Sequence, residues 1–469
     1  MIIMPEFILT VLALLAQLAA VFCRERVNLI VKITIMVLMF LMLVLVLLLG
    51  SHGMGCNGSF VSNFGTSFYK LLVLGFTIMS IVIYYEFCKI SAVNIRMEYI
   101  TLLLFSTVGV FLSISSRNLL LLFCGLELTA LAGYALAGFN LDIKSAEAAV
   151  KYFVLGALLS CITLLGMSFL YGFAGSLDFK VIFEMFNNAA QLPNIGIIIG
   201  AVLMLSGLLF KFSAAPLHMW TPDVYEGSSV TTVTYFVTAQ KIGVLFVLLN
   251  ILTLMIGEYP QITVSLIKIV AIFSMVIGSL GAIMQKSIKR LMAYSTILNV
   301  GYVLMGISLS LHNVAGILSA IVYMVIYIIA ALGFFACLIA LLGKNAEEAT
   351  FDDISGIATN RKAIAAAIAV MMFSMIGLPP LAGFFGKYYI FYQAIKQQEI
   401  MLAVIGMMSS IIASYYYLKI VRSMYFADNI KQIEIIPTSN GLLFITCLVV
   451  TFLLLFSLFA ANYLELLTA

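Results

Sequence analysis

The chain has 469 residues, of which 64% are hydrophobic and only 9% are charged. A soluble domain carries about a quarter charged residues because its surface faces water, so this composition excludes a soluble globular protein and indicates lipid as the main solvent. The net charge of +4 is small, and no basic run with interleaved aromatic residues is present, which excludes a nucleic-acid-binding protein.

The hydrophobic segments predict about fourteen transmembrane helices, since ~20 apolar residues are needed to cross the hydrocarbon core. The first, from Pro5 to Phe22, lacks a positive leading region and a cleavage site, so we interpret it as a retained helix and not a signal peptide. The chain is thus predicted to be an all-α polytopic membrane protein. The later spans are predicted to begin near Asn28, Leu71, Tyr99, Asn118, Glu147, Asn194, Ser228, Ile262, Leu291, Val314, Ala363, Ile400 and Gly441.

Lysine and arginine residues are unevenly distributed between the predicted loops. Most follow odd-numbered spans, whereas the even-numbered loops and their flanks carry Lys70, Arg117, Lys180 and Lys396, with Lys268 close by. Because cytoplasmic loops are enriched in positive residues, we expect the odd loops to face the cytoplasm or the mitochondrial matrix. Both termini are then predicted on the outer side of a bacterial cytoplasmic membrane or a mitochondrial inner membrane, that is, in the periplasm or the intermembrane space.

The seventh and twelfth predicted spans are too long to be single straight helices. Residues 194–226 and 363–395 are each 33 residues long, or about 50 Å of helix against a core of about 30 Å. The first contains Pro216 and Pro222, and the second contains Pro379 and Pro380. Proline removes a helical hydrogen bond and clashes with the preceding turn, so both helices are predicted to be discontinuous. The alternative is that the prolines only kink ordinary helices.

The two discontinuous spans are five spans apart and cross in opposite directions by the loop count. This is the pattern of two inverted five-helix repeats, spans four to eight against spans nine to thirteen. We therefore predict four parts: an N-terminal three-helix segment (1–97), a first five-helix repeat (98–257), a second, inverted five-helix repeat (258–423) and a C-terminal helix (424–469).

Glu127 lies in the middle of the fifth span and Lys151 near the inner end of the sixth. A charge at a helix centre costs ~2.5–3.5 kcal/mol on translocon scales, so such residues usually face protein or water. Lys151 follows Glu147 by four residues, the favoured order for a helical ion pair. The alternatives are a structural hydrogen bond for Glu127 and a solvated helix-end pair for Lys151.

Three further lysines and a histidine lie at or near the predicted breaks. Lys211 precedes the first break, Lys241 lies in the middle of the eighth span, and Lys387 follows the second break. A lysine in a dry site can release its proton near pH 7, which arginine cannot. His218 lies inside the first break, where the sequence is equally consistent with a core hydrogen bond and with a proton carrier.

These charges are predicted to act as a relay. Two unit charges ~10 Å apart at an effective dielectric constant of ~20 interact by about 1.7 kcal/mol, so moving one proton changes the protonation of the next group. The candidate relay residues are Glu127, Lys151, Lys211, Lys241 and Lys387, with His218 as a sixth.

No metal or redox centre is indicated. The seven cysteines are scattered without a C-x-x-C pair, whereas zinc and iron–sulfur sites need clustered ligands. Two-haem cytochromes need two pairs of axial ligands, which the three scattered histidines, His52, His218 and His312, do not supply. We expect no cofactor in this chain, and any electron transfer linked to it would take place elsewhere.

Three strings in the sequence resemble the antiporter-like subunits of respiratory complex I, the NADH:quinone oxidoreductase. They are F-K-F-S-A-A-P-L-H-M-W-T-P-D-V-Y-E-G, K-R-L-M-A-Y-S-T-I-L-N-V-G-Y and G-L-P-P-L-A-G-F-F-G-K. The resemblance extends over nearly the whole chain and is greatest to the subunit N branch, called subunit 2 in mitochondria. It implies fourteen helices in two inverted five-helix repeats, and proton translocation coupled at a distance to NADH oxidation in a peripheral arm. The implied partners are the other membrane subunits, including sister antiporter-like subunits, and the peripheral arm with its flavin and iron–sulfur clusters; the quinone site is expected elsewhere.

By motif, Glu127 resembles the fifth-helix glutamate of this family, and Lys211 the seventh-helix lysine that an acid modulates. Lys241 resembles the eighth-helix lysine between the half-channels. Lys387 resembles the twelfth-helix lysine, which favours branch N because branch M has glutamate there. Asn299 departs from the family, which commonly has histidine at this position, and an amide cannot carry a charge.

Two other functions share these features. A subunit of a multi-subunit cation/proton antiporter has the same fold and broken helices. A stand-alone secondary transporter for a small solute is also built on inverted repeats, but it binds a solute at the midplane.

Overall fold

The structure is a computed structural model that describes residues 3–182, 195–258, 260–309, 315–427 and 439–468. The predicted start of the seventh span at Asn194, the start of the eleventh at Val314, and His312 lie outside the described residues. The described helices are α1 (Met4–Phe22), α2 (Val27–Leu47), α3 (Phe64–Ile90), α4 (Met97–Ser115), α5 (Leu119–Ala137), α6 (Ile143–Ala174), α7 (Ile195–Phe212), α8 (Trp220–Gly227), α9 (Val230–Tyr235), α10 (Lys241–Glu258), α11 (Pro260–Ile283), α12 (Ile288–Ser308), α13 (Ala315–Leu342), α14 (Lys362–Ile376), α15 (Ala382–Lys396), α16 (Ile400–Phe426) and α17 (Asn440–Thr468).

The number of membrane spans agrees with the sequence prediction. Within the described ranges, 13 helical segments are long and apolar enough to cross a membrane, or up to 14 if the bent pair Asp352–Thr359 and Lys362–Ile376 counts as a single span. These segments coincide with the predicted spans except for the twelfth, whose halves α14 and α15 have 15 residues each. The all-α polytopic fold is confirmed, and its inverted repeat remains a prediction.

Both predicted discontinuities are present. The helix α7 ends at Phe212 and α8 begins at Trp220, so Pro216 lies in the interruption. The helix α14 ends at Ile376 and α15 begins at Ala382, with Pro379 and Pro380 between them. These interruptions fall where the missing proline N–H groups would have broken a continuous helix.

Each broken helix is followed by a residue in the left-handed backbone conformation, and a hydroxyl group binds backbone freed by the second break. Ser213 follows α7 with φ +67°, and Gly377 follows α14 with φ +91°. Gly377 is a helix C-terminal residue of the kind that glycine favours, because it has no Cβ to clash in this conformation. The Ser374 hydroxyl accepts a hydrogen bond from Gly383 N at 3.1 Å, which satisfies a backbone group freed by the break.

The eighth span is one helix with an irregular turn. The helices α9 and α10 are joined by a π-helical turn, Phe236–Gln240, and Lys241 follows it directly. Such single-turn irregularities cost regular hydrogen bonding and are frequent at functional sites. The sequence analysis did not predict this turn.

The loop between α2 and α3 contains a small antiparallel β-hairpin. Its strands are β1 (Gly53–Gly55) and β2 (Phe60–Ser62), with Met54 opposite Val61. The Phe60 ring is buried. The loop after α13 contains three short 3₁₀ turns, at 343–348, 352–354 and 357–359.

The chain divides into two compact units by its packing. The first comprises Met1–Tyr85, Asn94–Phe212 and Thr238–Glu258, and the second comprises Glu86–Val93, Ser213–Val237 and Tyr259–Ala469. In the first unit, α4 and α5 pack closely because Gly109 and Gly125 face each other; a Cβ on Gly109 would lie 2.7 Å from Gly125 O. In the second unit, α12 and α13 are almost entirely buried. This division does not test the predicted repeat boundaries.

Candidate functional site

Glu127 and Lys211 form an ion pair inside the first unit. Glu127 lies on α5 and Lys211 in the last turn of α7, with Nζ 3.7 Å from Oε1 and side chains 24% and 15% exposed. The Ser160 hydroxyl donates to Glu127 Oε1 at 2.6 Å, and Lys211 Nζ donates to Leu126 O at 3.2 Å. These hydrogen bonds offset part of the cost of removing both charges from water.

Lys241 is the first residue of α10, and its side chain is 1% exposed in the first unit. Its Nζ donates a hydrogen bond to Lys211 O at 3.2 Å. Lys241 therefore binds the backbone of the residue whose side chain pairs with Glu127. The structure thus brings three of the predicted relay residues together.

A small cavity lies beside this group. Its polar lining comes from the side chains of Ser113, Thr129, Tyr152, Lys211 and Gln240. It has room for roughly one water molecule, and its hydroxyl and amide groups supply the partners that a buried water needs. A water held there would be a proton acceptor for the Lys211 ammonium group.

Lys387 occupies a comparable site in the second unit. It lies on α15 with 6% of its surface exposed. Its Nζ donates to Ile376 O at 3.0 Å and to Ser410 Oγ at 2.8 Å, and it lies 5.3 Å from the centre of the Tyr302 ring. The ammonium group is therefore held by a carbonyl, a hydroxyl and an aromatic face.

The two broken helices hold these lysines in the same way. Lys241 binds a carbonyl in the last turn of α7, and Lys387 binds the carbonyl of the last residue of α14. The final carbonyls of a helix have no partner within the helix, and they carry the negative end of its dipole. Each break therefore creates a binding site for a cation in an apolar span.

Lys151 and His218 have other contacts. Lys151 pairs with Glu147 at 2.8 Å, and their side chains are 43% and 61% exposed. His218 lies in the second unit, in the interruption between α7 and α8, and its carbonyl accepts a hydrogen bond from Thr221 N at 2.9 Å. Their roles in the relay remain predictions.

Two of the strings that carry the family resemblance contact each other. Arg290 Nη1 lies 2.9 Å from Asp223 Oδ1 and 2.7 Å from Glu226 Oε2. Its neighbour Lys289 is buried and donates to Ser228 O at 2.8 Å. These contacts fasten α8 to the start of α12. From the sequence alone, Lys289 and Arg290 count only among the positive residues that follow odd-numbered spans.

A buried ion pair near the N-terminus was also missed. Lys70 Nζ lies 2.5 Å from Glu6 Oε1, and the side chains are 3% and 4% exposed. The Lys70 ammonium lies 4.9 Å from the Phe60 ring centre and 5.8 Å from that of Phe111. Lys70 is thus a buried residue of α3, although the sequence analysis counted it with an outer loop.

The structure also reveals a polar cluster around Asn299 that the sequence analysis did not find. Asn299 Oδ1 accepts a hydrogen bond from the Tyr323 hydroxyl, and its Nδ2 donates to Ser295 O at 2.7 Å. A signal was available in the sequence. Tyr323 and Tyr327 are four residues apart in an otherwise apolar span, which places both hydroxyls on one helix face.

Metal coordination is not indicated by the described part of the chain. Among those residues, no three or more His, Cys, Asp or Glu side chains are grouped to hold a metal ion. The chemical groups at the site are amines, a carboxylate, hydroxyls and amides, of which the amines and the carboxylate can bind and release protons.

A family model described as "NADH:quinone oxidoreductase/Mrp antiporter, TM" matches residues 116–413. NADH-quinone oxidoreductase subunit N of Rickettsia felis is 53% identical over 97% of this chain and 98% of its own length. The subunit N of Paramagnetospirillum magneticum is 37% identical over 92% of this chain and 89% of its own length.

The fold is also similar to that of chains in solved membrane complexes. A chain of respiratory complex I from Thermus thermophilus superposes with a TM-score of 0.79 at 27% identity, over 97% of this chain and 98% of that chain. A chain of the Mrp complex from Dietzia shares the fold with a TM-score of 0.83 at 20% identity, over 99% and 95% of the two chains. The sequence identities, their coverage and the matching fold together place this chain in the NADH-quinone oxidoreductase subunit N family.

Proposed function

We propose that this chain works in the membrane arm of an NADH:quinone oxidoreductase, where it translocates protons through Glu127, Lys211, Lys241 and Lys387. The main support is the contact between the first three of these residues within apolar spans. Placing ionisable groups at membrane depth is costly, so their presence in one connected site favours a function that uses their charge.

The geometry suggests how charge would pass through the first unit. At 3.7 Å and an effective dielectric constant of ~20, Glu127 and Lys211 attract each other by about 4.5 kcal/mol. Separating this pair would remove the attraction that holds the proton on Lys211. Lys211 could then give its proton more easily to a water molecule in the small cavity beside it. Because Lys241 binds the Lys211 carbonyl, a shift in the last turn of α7 would also change the surroundings of Lys241.

The redox chemistry belongs to other subunits in this proposal. Flavin and iron–sulfur clusters would be held by the peripheral arm, and the quinone site would lie outside this chain. The proposed neighbours in the membrane are sister antiporter-like subunits. The distribution of Lys and Arg supports odd-numbered loops on the cytoplasmic or matrix side and both termini on the outer side.

The test is substitution of Lys241 in the assembled enzyme. Lys241→Ala removes the amine, and Lys241→Arg keeps a positive charge that cannot be given up near neutral pH. We expect both variants to assemble and oxidise NADH, with proton pumping reduced in sealed membrane vesicles. Lys286→Ala, at an exposed position, is the matched control and should pump normally. Normal pumping by Lys241→Arg would contradict a role in binding and releasing protons.

A further inference from the structure

A group of buried hydroxyls surrounds Asn299 in the second unit. The Tyr323 hydroxyl on α13 donates to Asn299 Oδ1. On the other side of the amide, Nδ2 donates to the Tyr417 hydroxyl on α16 at 3.4 Å and to Ser295 Oγ at 3.3 Å. The amide therefore joins hydroxyl groups on three helices.

The group continues towards the N-terminal half of α12. Ser295 Oγ lies 2.5 Å from the Tyr417 hydroxyl and 3.3 Å from that of Tyr327. The Tyr327 hydroxyl lies 3.0 Å from Thr296 Oγ1. All of these side chains are buried. A hydrogen-bonded set of this size inside a membrane protein is costly unless each member is satisfied.

Near its other end lies Tyr302, which contacts the group through its ring and binds the partners of Lys387 through its hydroxyl. The Tyr302 hydroxyl lies 3.0 Å from Ser409 Oγ and also forms a hydrogen bond with Ser410, which accepts from Lys387 Nζ. The Tyr302 ring packs edge-on against that of Tyr323, with centroids 5.7 Å apart. Together these side chains form the hydroxyl cluster, which comprises Ser295, Thr296, Tyr302, Tyr323, Tyr327 and Tyr417.

The amide of Asn299 cannot relay a proton by itself. Its Oδ1 only accepts hydrogen bonds and its Nδ2 only donates them, and neither titrates near neutral pH. Hydroxyls differ, because each can accept one proton while it gives up another. Among the described groups around Asn299, hydroxyls are therefore the ones suited to proton transfer. A small cavity lined by Tyr323, Tyr327 and Ser374 adds room for about one water molecule.

We propose that the hydroxyl cluster carries protons between Lys387 and the N-terminal half of α12, with Asn299 holding the phenols in place. The Lys387 ammonium gives its proton to the Ser410 hydroxyl, which passes one to Tyr302. Water bridges Tyr302 to Tyr323 and, in the small cavity, Tyr323 to Tyr327. At each hydroxyl one O–H bond forms as another breaks, and water at the N-terminal half of α12 accepts the last proton, so that no net charge stays on the cluster. This proposal rests on the proposed function, and it assigns proton transfer at this point to tyrosines.

The first test removes single hydroxyls from the assembled enzyme in sealed vesicles. Tyr323→Phe and Tyr417→Phe keep the ring and delete the oxygen. We expect each to lower proton pumping per NADH oxidised by about threefold or more and to change the solvent deuterium isotope effect on pumping. Tyr389→Phe is the matched control, because this buried ring on α15 packs against Ala315 and Phe385. It should pump normally.

The second test distinguishes proton transfer from packing. An imidazole can accept and release a proton, so Asn299→His should restore at least about half of the pumping lost in Tyr323→Phe. A purely structural role for the Tyr323 hydroxyl predicts no rescue by this second substitution. Normal pumping in both phenylalanine variants, or a loss that histidine does not rescue, would overturn the proposal. Normal pumping in Lys387→Ala and Lys241→Ala would instead overturn the proposed function itself.

Discussion

At the scale of single residues, one carboxylate of the first unit pairs with a lysine of the proposed relay. Glu127 is the acid paired with Lys211, and Ser160 fixes one of its oxygens. A hydrogen bond alone would also explain a polar residue at this position, as the sequence analysis noted. The contact with Lys211 makes its charge the more informative property to change, because an amide would keep the hydrogen bond.

Glu127→Gln tests this point. The amide still accepts the Ser160 hydrogen bond, but Lys211 loses a Coulomb attraction of about 4.5 kcal/mol. We expect assembled enzyme with reduced turnover and pumping, and partial activity for Glu127→Asp. Activity is measured as NADH-driven proton uptake in vesicles, with Glu98→Gln, an exposed position on α4, as the control. Wild-type turnover in the glutamine variant would favour the purely structural role.

The sequence was sufficient to nominate Glu127, Lys211, Lys241 and Lys387, because charged residues stand out in apolar spans. For the hydroxyl cluster, the sequence signals only Tyr323 and Tyr327 on one face of α13, and the packing of α12, α13 and α16 brings the other members to them. The sequence also could not predict which backbone carbonyls bind the lysines, because this depends on the residue at which each broken helix ends.

At the scale of helices and turns, the length of an apolar segment was enough to predict where a membrane helix is interrupted. Segments of 33 residues with internal prolines were predicted to break, and α7 and α14 end as predicted. The β-hairpin and the π-helical turn were not predicted. Their local sequences carry no turn signal as strong as proline, and long-range packing decides their conformation.

The Glu6–Lys70 ion pair joins α1 to α3 and gives a prediction about stability. Removing one partner of a buried pair leaves the other charge uncompensated, which costs about 3–5 kcal/mol, whereas replacing both with apolar residues is often neutral. We expect Lys70→Ala to lower the thermal stability and yield of the assembled enzyme. The double variant Glu6→Leu, Lys70→Met should retain both.

The control for this prediction is a pair that is less buried. Lys268 and Glu399 join α11 to α16 with side chains 26% and 38% exposed. Lys268→Ala should change thermal stability much less, because water can solvate the remaining carboxylate. Equal losses in Lys70→Ala and Lys268→Ala, measured by the temperature at which the enzyme dissociates, would contradict the argument from burial.

At the scale of the whole molecule, composition and hydropathy were enough to predict a polytopic helical protein with about fourteen spans. The 13 to 14 candidate spans in the described residues and the matching fold of a complex I chain agree with this prediction. Hydropathy carries no information about how helices pack into units, so the four predicted parts stay a prediction. Orientation in the membrane depends on the charges in the loops, and it gives a prediction about the whole chain.

Cysteine labelling in intact cells or organelles tests the predicted orientation. Lys286, in the loop after the ninth span, is predicted on the inner side, whereas Lys396, in the loop after the twelfth, is predicted on the outer side. Both side chains are exposed in this chain. In a background without the seven native cysteines, a membrane-impermeant maleimide should label Lys396→Cys in intact membranes and Lys286→Cys only after permeabilisation. The physical reason is the energetic preference for retaining positive loops on the cytoplasmic side. Proton pumping in each cysteine variant verifies that it is folded and assembled, and the reverse labelling pattern in active enzyme would show that the termini face inward.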